Sequence, residues 1–253
     1  MKFRTVGLIG VGRFGSMIHR HLRERVELRV FDRDPSRIAG MPEAASLEQV
    51  CGCEIVILSV PISTVAEVCS RISGLLAPGG IVVDTCSVKT LPVQWMVERL
   101  PETVEILGTH PLFGPDSGKD GIAGLKIAVC PVRIQPEKYQ EIRRFLESLE
   151  LVVVETTPEE HDRQIALSQA IFHLIAQAMG RLGWGVKPIS TPGPEAFYRL
   201  VKTVQRDTQQ LFLDMERENP FAAECRRLFI DEILKIDREL AAHRERQDEA
   251  PGR

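Results

Sequence analysis

No apolar run in the 253 residues approaches the roughly 18 that a membrane-spanning helix requires. The first residues lead almost directly into a strand pattern and carry no apolar leader core, so no secretory signal is expected. Basic residues are not in excess: 32 Lys and Arg face 35 Asp and Glu, which removes any electrostatic case for a nucleic-acid partner. The one basic cluster, residues 19–25, reads as the solvated face of a helix. Cysteines are few and scattered. Only Cys51 and Cys53 lie close together, with no second Cys/His pair near them, so no zinc or other metal centre is expected. Six such thiols fit a reduced, cytoplasmic protein. Internal repeats and low-complexity tracts are also missing.

What is there is the composition of an ordinary globular protein, 43% hydrophobic and 26% charged, long enough for one large domain or two modest ones. Residues 4–10 form a short apolar run that ends in Gly10-Val11-Gly12-Arg13-Phe14-Gly15, and a helical pattern follows. A second strand, residues 27–31, ends at Asp32, 22 residues after Gly10. The glycine pattern alone is weak. Between a strand and a helix, with an acid at the tip of the next strand, it is the fingerprint of a dinucleotide site. Gly10 permits the turn, Gly12 lets the pyrophosphate approach, and Gly15 lets helix and strand pack closely. Arg13 and Phe14 lie in the same turn. Asp32 suits the ribose hydroxyls and repels a 2′-phosphate, which favours NAD. Arg33 beside it leaves NADP as the alternative.

The alternation continues. Strand patterns at 54–60, 81–84, 104–107, 126–130 and 151–155 alternate with helical patterns from Pro61 to about residue 76, near 93–99, and at 136–149. Near-continuous apolar strands of this kind predict a mostly parallel Rossmann-type sheet covered by helices on both faces. Ligands in such sheets sit beyond the carboxyl ends of the strands. The glycine turn, Asp32, Ser59, Pro61, Ser87, Lys89 and His110 all fall at those ends. From residue 108 the chain is rich in Gly and Pro and reads as a loop that carries His110.

After residue 155 no strand pattern recurs. Thr157-Pro158-Glu159-Glu160 is a helix start, and helices are expected at 158–182, 195–217 and 220–244. The predicted organisation is a dinucleotide-binding domain over 1–156, an all-α domain over 157–243, and a charged, disordered tail over 244–253. The helical domain carries more apolar faces than three helices bury alone, and so predicts a homodimer.

Oxidation by NAD requires a group that takes the hydroxyl proton, a group that holds the first in its tautomer, and cations that fix the substrate. His110 suits the first task, Ser87 the second, Lys89 and an Arg of the helical domain the third. By residue type alone His110 is as easily a structural loop histidine, and His173, among Ile171, Phe172 and Leu174, reads as a satisfied core histidine. His161, at a helix start, reads as bonded to nearby backbone.

The chain resembles the prephenate/arogenate dehydrogenase family of tyrosine biosynthesis. The resemblance rests on Gly7 to Gly15, on Asp84-x-x-Ser87-Val88-Lys89, on Gly108-x-His110-Pro111-x-Phe113-Gly114-Pro115, and on Glu160-His161-Asp162 followed by His173. The Gly-Pro-Asp-Ser-Gly stretch, with Ser168-Gln169-Ala170-x-x-His173, is most similar to the branch often fused to chorismate mutase, though no mutase domain is expected here. The resemblance implies NAD-dependent oxidative decarboxylation of prephenate, with His110 as base, Ser87 supporting it, and Lys89 and His173 on the substrate side. It also implies an Arg in the second long helix that pairs with the substrate carboxylate, for which Arg199 and Arg206 are both candidates. Arogenate is the alternative substrate, and a non-catalytic dinucleotide-binding regulator is the alternative class. A 3-hydroxyisobutyrate-type dehydrogenase is disfavoured, because the first helix of the second domain has no lysine.

Overall fold

The computed structural model describes residues 3–248, with side chains as far as residue 244. The apolar runs become one sheet of seven strands: β1 (Thr5–Ile9), β2 (Glu27–Phe31), β3 (Ile55–Leu58), β4 (Ile81–Asp84), β5 (Glu105–Pro111), β6 (Lys126–Arg133) and β7 (Val152–Glu155). Their order is β2-β1-β3-β4-β5-β6-β7. The first five run parallel, β6 is antiparallel to β5, and β7 is parallel to β6. The mostly parallel Rossmann-type sheet is therefore present, with a reversed edge.

Helices α1 (Arg13–Leu22) and α5 (Pro136–Ser148) cover one face. Helices α2 (Leu47–Cys51), α3 (Val65–Ile72) and α4 (Thr90–Arg99) cover the other. The sequence reading contains no helix at α2. Its signal is the pair Ser46 and Gln49, which form a reciprocal capping box.

The stretch around His110 departs from expectation. It is not a loop: β5 continues through Gly108, Thr109 and His110 to Pro111, paired with Cys130, Val129, Ala128 and Ile127 of β6. Gly and Pro suggest a loop by local propensity. Pairing with an antiparallel neighbour overrides it, and Pro111 is tolerated because it closes the strand.

The change to helices falls at residues 156–157. The Thr157 side chain accepts the Glu160 N–H at 3.2 Å and starts α6 (Pro158–Ile165), as its sequence predicts. A π-helical turn, Ala166–Ala170, joins α6 to α7 (Ile171–Arg181). The second expected helix is two, α8 (Pro192–Val204) and α9 (Gln209–Glu218). The break comes at Thr208, whose side chain takes the Leu211 N–H at 3.1 Å and caps a new helix. The last helix, α10 (Ala222–Asp248), runs on where the disordered tail was expected from residue 244, since Ala, Arg, Glu and Gln all favour helix. The rest of that tail, residues 249–253, lies outside the described residues. Met215 of α9 packs into the core under α2–α4, so the helical part shares apolar packing with the sheet.

Of the described glycines outside the Gly10–Gly15 turn, Gly7 of β1 leaves the least room for a side chain. A Cβ there would lie 2.4 Å from the Val50 carbonyl oxygen of α2. Gly7→Ala is expected to destabilise the fold by about 1–3 kcal/mol through overpacking. Urea unfolding checks this, with a lower midpoint at an unchanged slope as the expected result.

Candidate active site

Beyond the carboxyl ends of β1 to β5 lies a cleft of about 1380 Å³, closed on its far side by α6 to α9. Its first wall is the glycine turn. Gly10 has φ +97°, and a Cβ on it would meet the Ser59 carbonyl oxygen at 2.2 Å. A Cβ on Gly15 would meet the Gly10 carbonyl oxygen at 2.0 Å. Neither position tolerates a side chain. At Gly12 the nearest atom is Arg37 Nη1 at 3.7 Å, so the backbone is open to a ligand. Asp32 is buried and accepts the Val11 N–H at 2.7 Å and the Asp34 N–H at 2.9 Å. Phe14, Arg33, Ser59 and Pro61 line the same cleft. Two arginines there were missed: Arg37, 3.8 Å from Asp32, and Arg71, stacked over Phe31 at 5.7 Å. Both sit on helical turns, where a basic residue reads as solvated surface.

His110 and His173 line the cleft from opposite sides, and both are buried. Burial holds the His110 imidazole well below its ordinary value of 6.5, and positive charge on His161, whenever it is protonated, or on Lys89 acts in the same direction. It is thus a neutral base at physiological pH. Its expected partner is corrected. Ser87 lines the cleft, but His110 Nδ1 lies 2.9 Å from Nε2 of His161. His161 Nδ1 in turn lies 2.8 Å from the Asp162 carboxylate.

Lys89 is corrected as well. It is wholly buried behind the cleft wall, paired with Asp84, and its ammonium donates to the Thr109 carbonyl at 2.6 Å. It braces β5 one residue before His110 and does not face a substrate. Arg199 is exposed on α8 and does not line the cleft. Arg206 is exposed as well and does not itself line the cleft, but it joins a clasp with two residues that do: Asp116 pairs with Arg206 at 3.2 Å and with Arg13 at 2.8 Å. Arg13 also donates to the Arg206 carbonyl at 2.8 Å. Arg13, ahead of Arg206, holds the Asp116 carboxyl below its usual range.

Burial lowers His173 to about 4 from 6.5. Because the folded value is depressed, the unfolded chain binds this proton first as pH falls. The stability it contributes is complete above pH 6.5 and is lost toward pH 4, a change on the order of 3 kcal/mol. Denaturant unfolding at pH 7 and pH 4.5 is expected to show this drop, and His173→Gln is expected to shrink it.

A sequence model described as "prephenate dehydrogenase, nucleotide-binding domain" matches residues 32–155. Arogenate dehydrogenase 2, chloroplastic, of Arabidopsis thaliana is 35% identical over 147 residues, covering 56% of this chain and 41% of that protein. Arogenate dehydrogenase 1, chloroplastic, of the same plant is 28% identical over 232 residues, covering 87% of this chain and 36% of that protein. The chain thus spans about two fifths of the length of these relatives. The fold is similar to that of prephenate dehydrogenase from A. aeolicus, solved in complex with hydroxyphenyl propionate and NAD+. The TM-score is 0.78 at 20% identity, over 98% of this chain and 94% of that one. Residues 32–155 thus match the nucleotide-binding domain of the prephenate dehydrogenase family, and the two plant relatives are arogenate dehydrogenases.

Proposed function

We propose that the protein is an NAD-dependent dehydrogenase that oxidatively decarboxylates prephenate to 4-hydroxyphenylpyruvate in tyrosine biosynthesis. The observation that carries this reading is His110: a buried, neutral imidazole in the same cleft as the glycine turn and Asp32. The residues fit the cofactor. The open backbone at Gly12 and the start of α1 receive a pyrophosphate, with Arg13 and Phe14 beside it. Asp32 meets the ribose and disfavours a 2′-phosphate. When bound, the nicotinamide supplies the hydride acceptor.

His110 takes the proton of the ring hydroxyl as that carbon is oxidised, and the ring becomes aromatic with loss of carbon dioxide. Ser87 and His173, on the cleft walls, orient the substrate by hydrogen bonds. Arg206 is the better candidate for the substrate carboxylate, because it is paired with Asp116 of the cleft wall while the Arg199 side chain forms no ion pair with that wall. Engaging the substrate exchanges one carboxylate, that of Asp116, for another.

One observation favours arogenate as a second reading. Asp207 lines the cleft from the helical side, with its carboxyl raised by burial, and Asp214 lines it nearby. A substrate ammonium finds a carboxylate there that prephenate does not use.

The direct test follows NADH formation with prephenate and with arogenate, using NAD and NADP in parallel. Turnover of prephenate with NAD is expected. His110→Asn is expected to lower kcat by about 100-fold or more while the cofactor still binds. A higher kcat/KM for arogenate selects the second reading. Absence of turnover with every pair overturns both and leaves a binding protein.

The reading includes a homodimer through the helical part. Ile230, Ile233, Leu234, Ile236 and Leu240 of α10 are all exposed, on one half of the helix. A second copy of the same face is the simplest cover for such a stripe. It also includes a cytoplasmic setting, which accounts for six free thiols. Light scattering after gel filtration is expected to give twice the chain mass, and Ile233→Glu with Leu234→Glu to give monomer.

A further inference from the structure

The base of the cleft holds three side chains in series. Asp162 is wholly buried, and both its oxygens are engaged. Oδ1 accepts the Lys89 N–H at 2.7 Å, Oδ2 accepts the Thr90 N–H at 2.8 Å, and His161 Nδ1 lies 2.8 Å from Oδ1. The main-chain oxygen of Asp162 is fixed as well, by the Asn219 side-chain amide at 2.9 Å. The carboxylate therefore cannot turn away without leaving the backbone N–H groups of Lys89 and Thr90, at the head of α4, unpaired in the interior.

The proton positions follow from these contacts. A carboxylate accepts, so His161 Nδ1 must carry the hydrogen. With His161 neutral, its Nε2 is bare, and that atom lies 2.9 Å from His110 Nδ1. For the contact to be a hydrogen bond, His110 Nδ1 must donate. The two rings meet edge-on at 69°, the geometry of an in-plane ring-nitrogen bond and not of stacking. His110 Nε2 is left bare. Among the described residues the only fully buried side-chain polar atom without a partner is Glu216 Oε1, so His110 Nε2 keeps access to the cleft.

We infer that Asp162 and His161 are positioning residues that force His110 into the Nδ1–H tautomer, with Nε2 as the bare base toward the substrate. Free histidine prefers the opposite tautomer, in which Nε2 carries the proton and has nothing to accept with. The partner of one ring nitrogen decides what the other can do. The inference deepens the proposed function, since it rests on His110 acting as the base. Two cationic groups face His110: His161 when protonated, and the Lys89 ammonium, which is turned to Asp84 and the Thr109 carbonyl. The Asp162 carboxylate is the anion at the far end of the series and steadies the imidazolium that forms during turnover.

The test reads the tautomer directly, without substrate. Nitrogen-15 NMR of histidine-labelled protein above pH 7 is expected to show His110 protonated on Nδ1, its signals assigned by their loss in His110→Asn. In His161→Leu the acceptor is gone, and His110 is expected to revert to the Nε2–H form, with kcat down about 10- to 100-fold and cofactor Kd unchanged. In His161→Gln the amide oxygen can accept in place of Nε2. The Nδ1–H form is expected to return, with kcat within about fivefold of wild type. A wild-type His110 protonated on Nε2 overturns the inference. So does a His161→Leu protein that keeps either the Nδ1–H tautomer or wild-type kcat. If His161→Leu does not fold, the wild-type and His161→Gln spectra decide alone. Absence of turnover in wild type with the Nδ1–H form present rejects the proposed reaction and leaves the positioning intact.

Discussion

The buried ion pair between Lys89 and Asp84 is the contact on which the site depends. Both side chains are wholly out of water. Desolvating two charges costs more than their attraction returns unless the remaining valences are filled, and here they are filled. Asp84 also accepts the Cys86 and Thr109 N–H groups, and its carbonyl accepts the Thr109 hydroxyl. Lys89 donates onward to the Thr109 carbonyl. The pair thus ties the end of β4 to β5 on both sides of Thr109, next to the base. Losing either partner would leave a charge buried alone, at a cost of about 3–5 kcal/mol. It would also free the strand end that aims His110.

The same lysine links the two parts of the chain through its backbone, because its N–H is taken by Asp162 of α6. Helix α6 is therefore seated by polar contacts at the head of α4, while Met215 of α9 is seated by apolar packing in the core below. These two attachments differ in kind. The apolar one tolerates small shifts. The polar one does not, since a displacement of about 1 Å breaks hydrogen bonds to two buried N–H groups. The rigid attachment is the one that lies beside the catalytic candidate.

The parts of this structure that were legible in the sequence are those set by local pattern. Strand periodicity, the Gly10–Gly15 turn, Asp32 and the Thr157 cap each follow from a few neighbouring residues, and each is where the sequence puts it. His110 was legible as a site residue because it stands at a strand end, although the strand runs past it. What was not legible depends on contacts between distant segments. His161 is 51 residues from His110, and nothing in its own helix turn distinguishes it from a histidine bonded to backbone. Lys89 illustrates the opposite error. A lysine at the mouth of a sheet reads as a ligand for an anion until an internal carboxylate, five residues back, is seen to claim it. The break at Thr208 was hidden for a third reason. The apolar spacing continues across it, so only the capping side chain marks where one helix ends and another begins.

These contacts also explain why the helical part is more than a lid. The sheet domain on its own supplies a dinucleotide turn and a histidine with both ring nitrogens uncommitted. Docking α6 commits one of them to His161 and leaves the other to the cleft. Docking the α8–α9 turn brings Arg206 to Asp116 at the mouth, beside the arginine of the glycine turn. The same rigid-body placement therefore sets the proton at the floor of the cleft and the charge at its entrance. A histidine aimed by the backbone of the sheet and held by side chains of the helical part keeps that arrangement only in the assembled cleft, so a water-exposed His110 in a loosened state would lose both its partner His161 and its depressed basicity together.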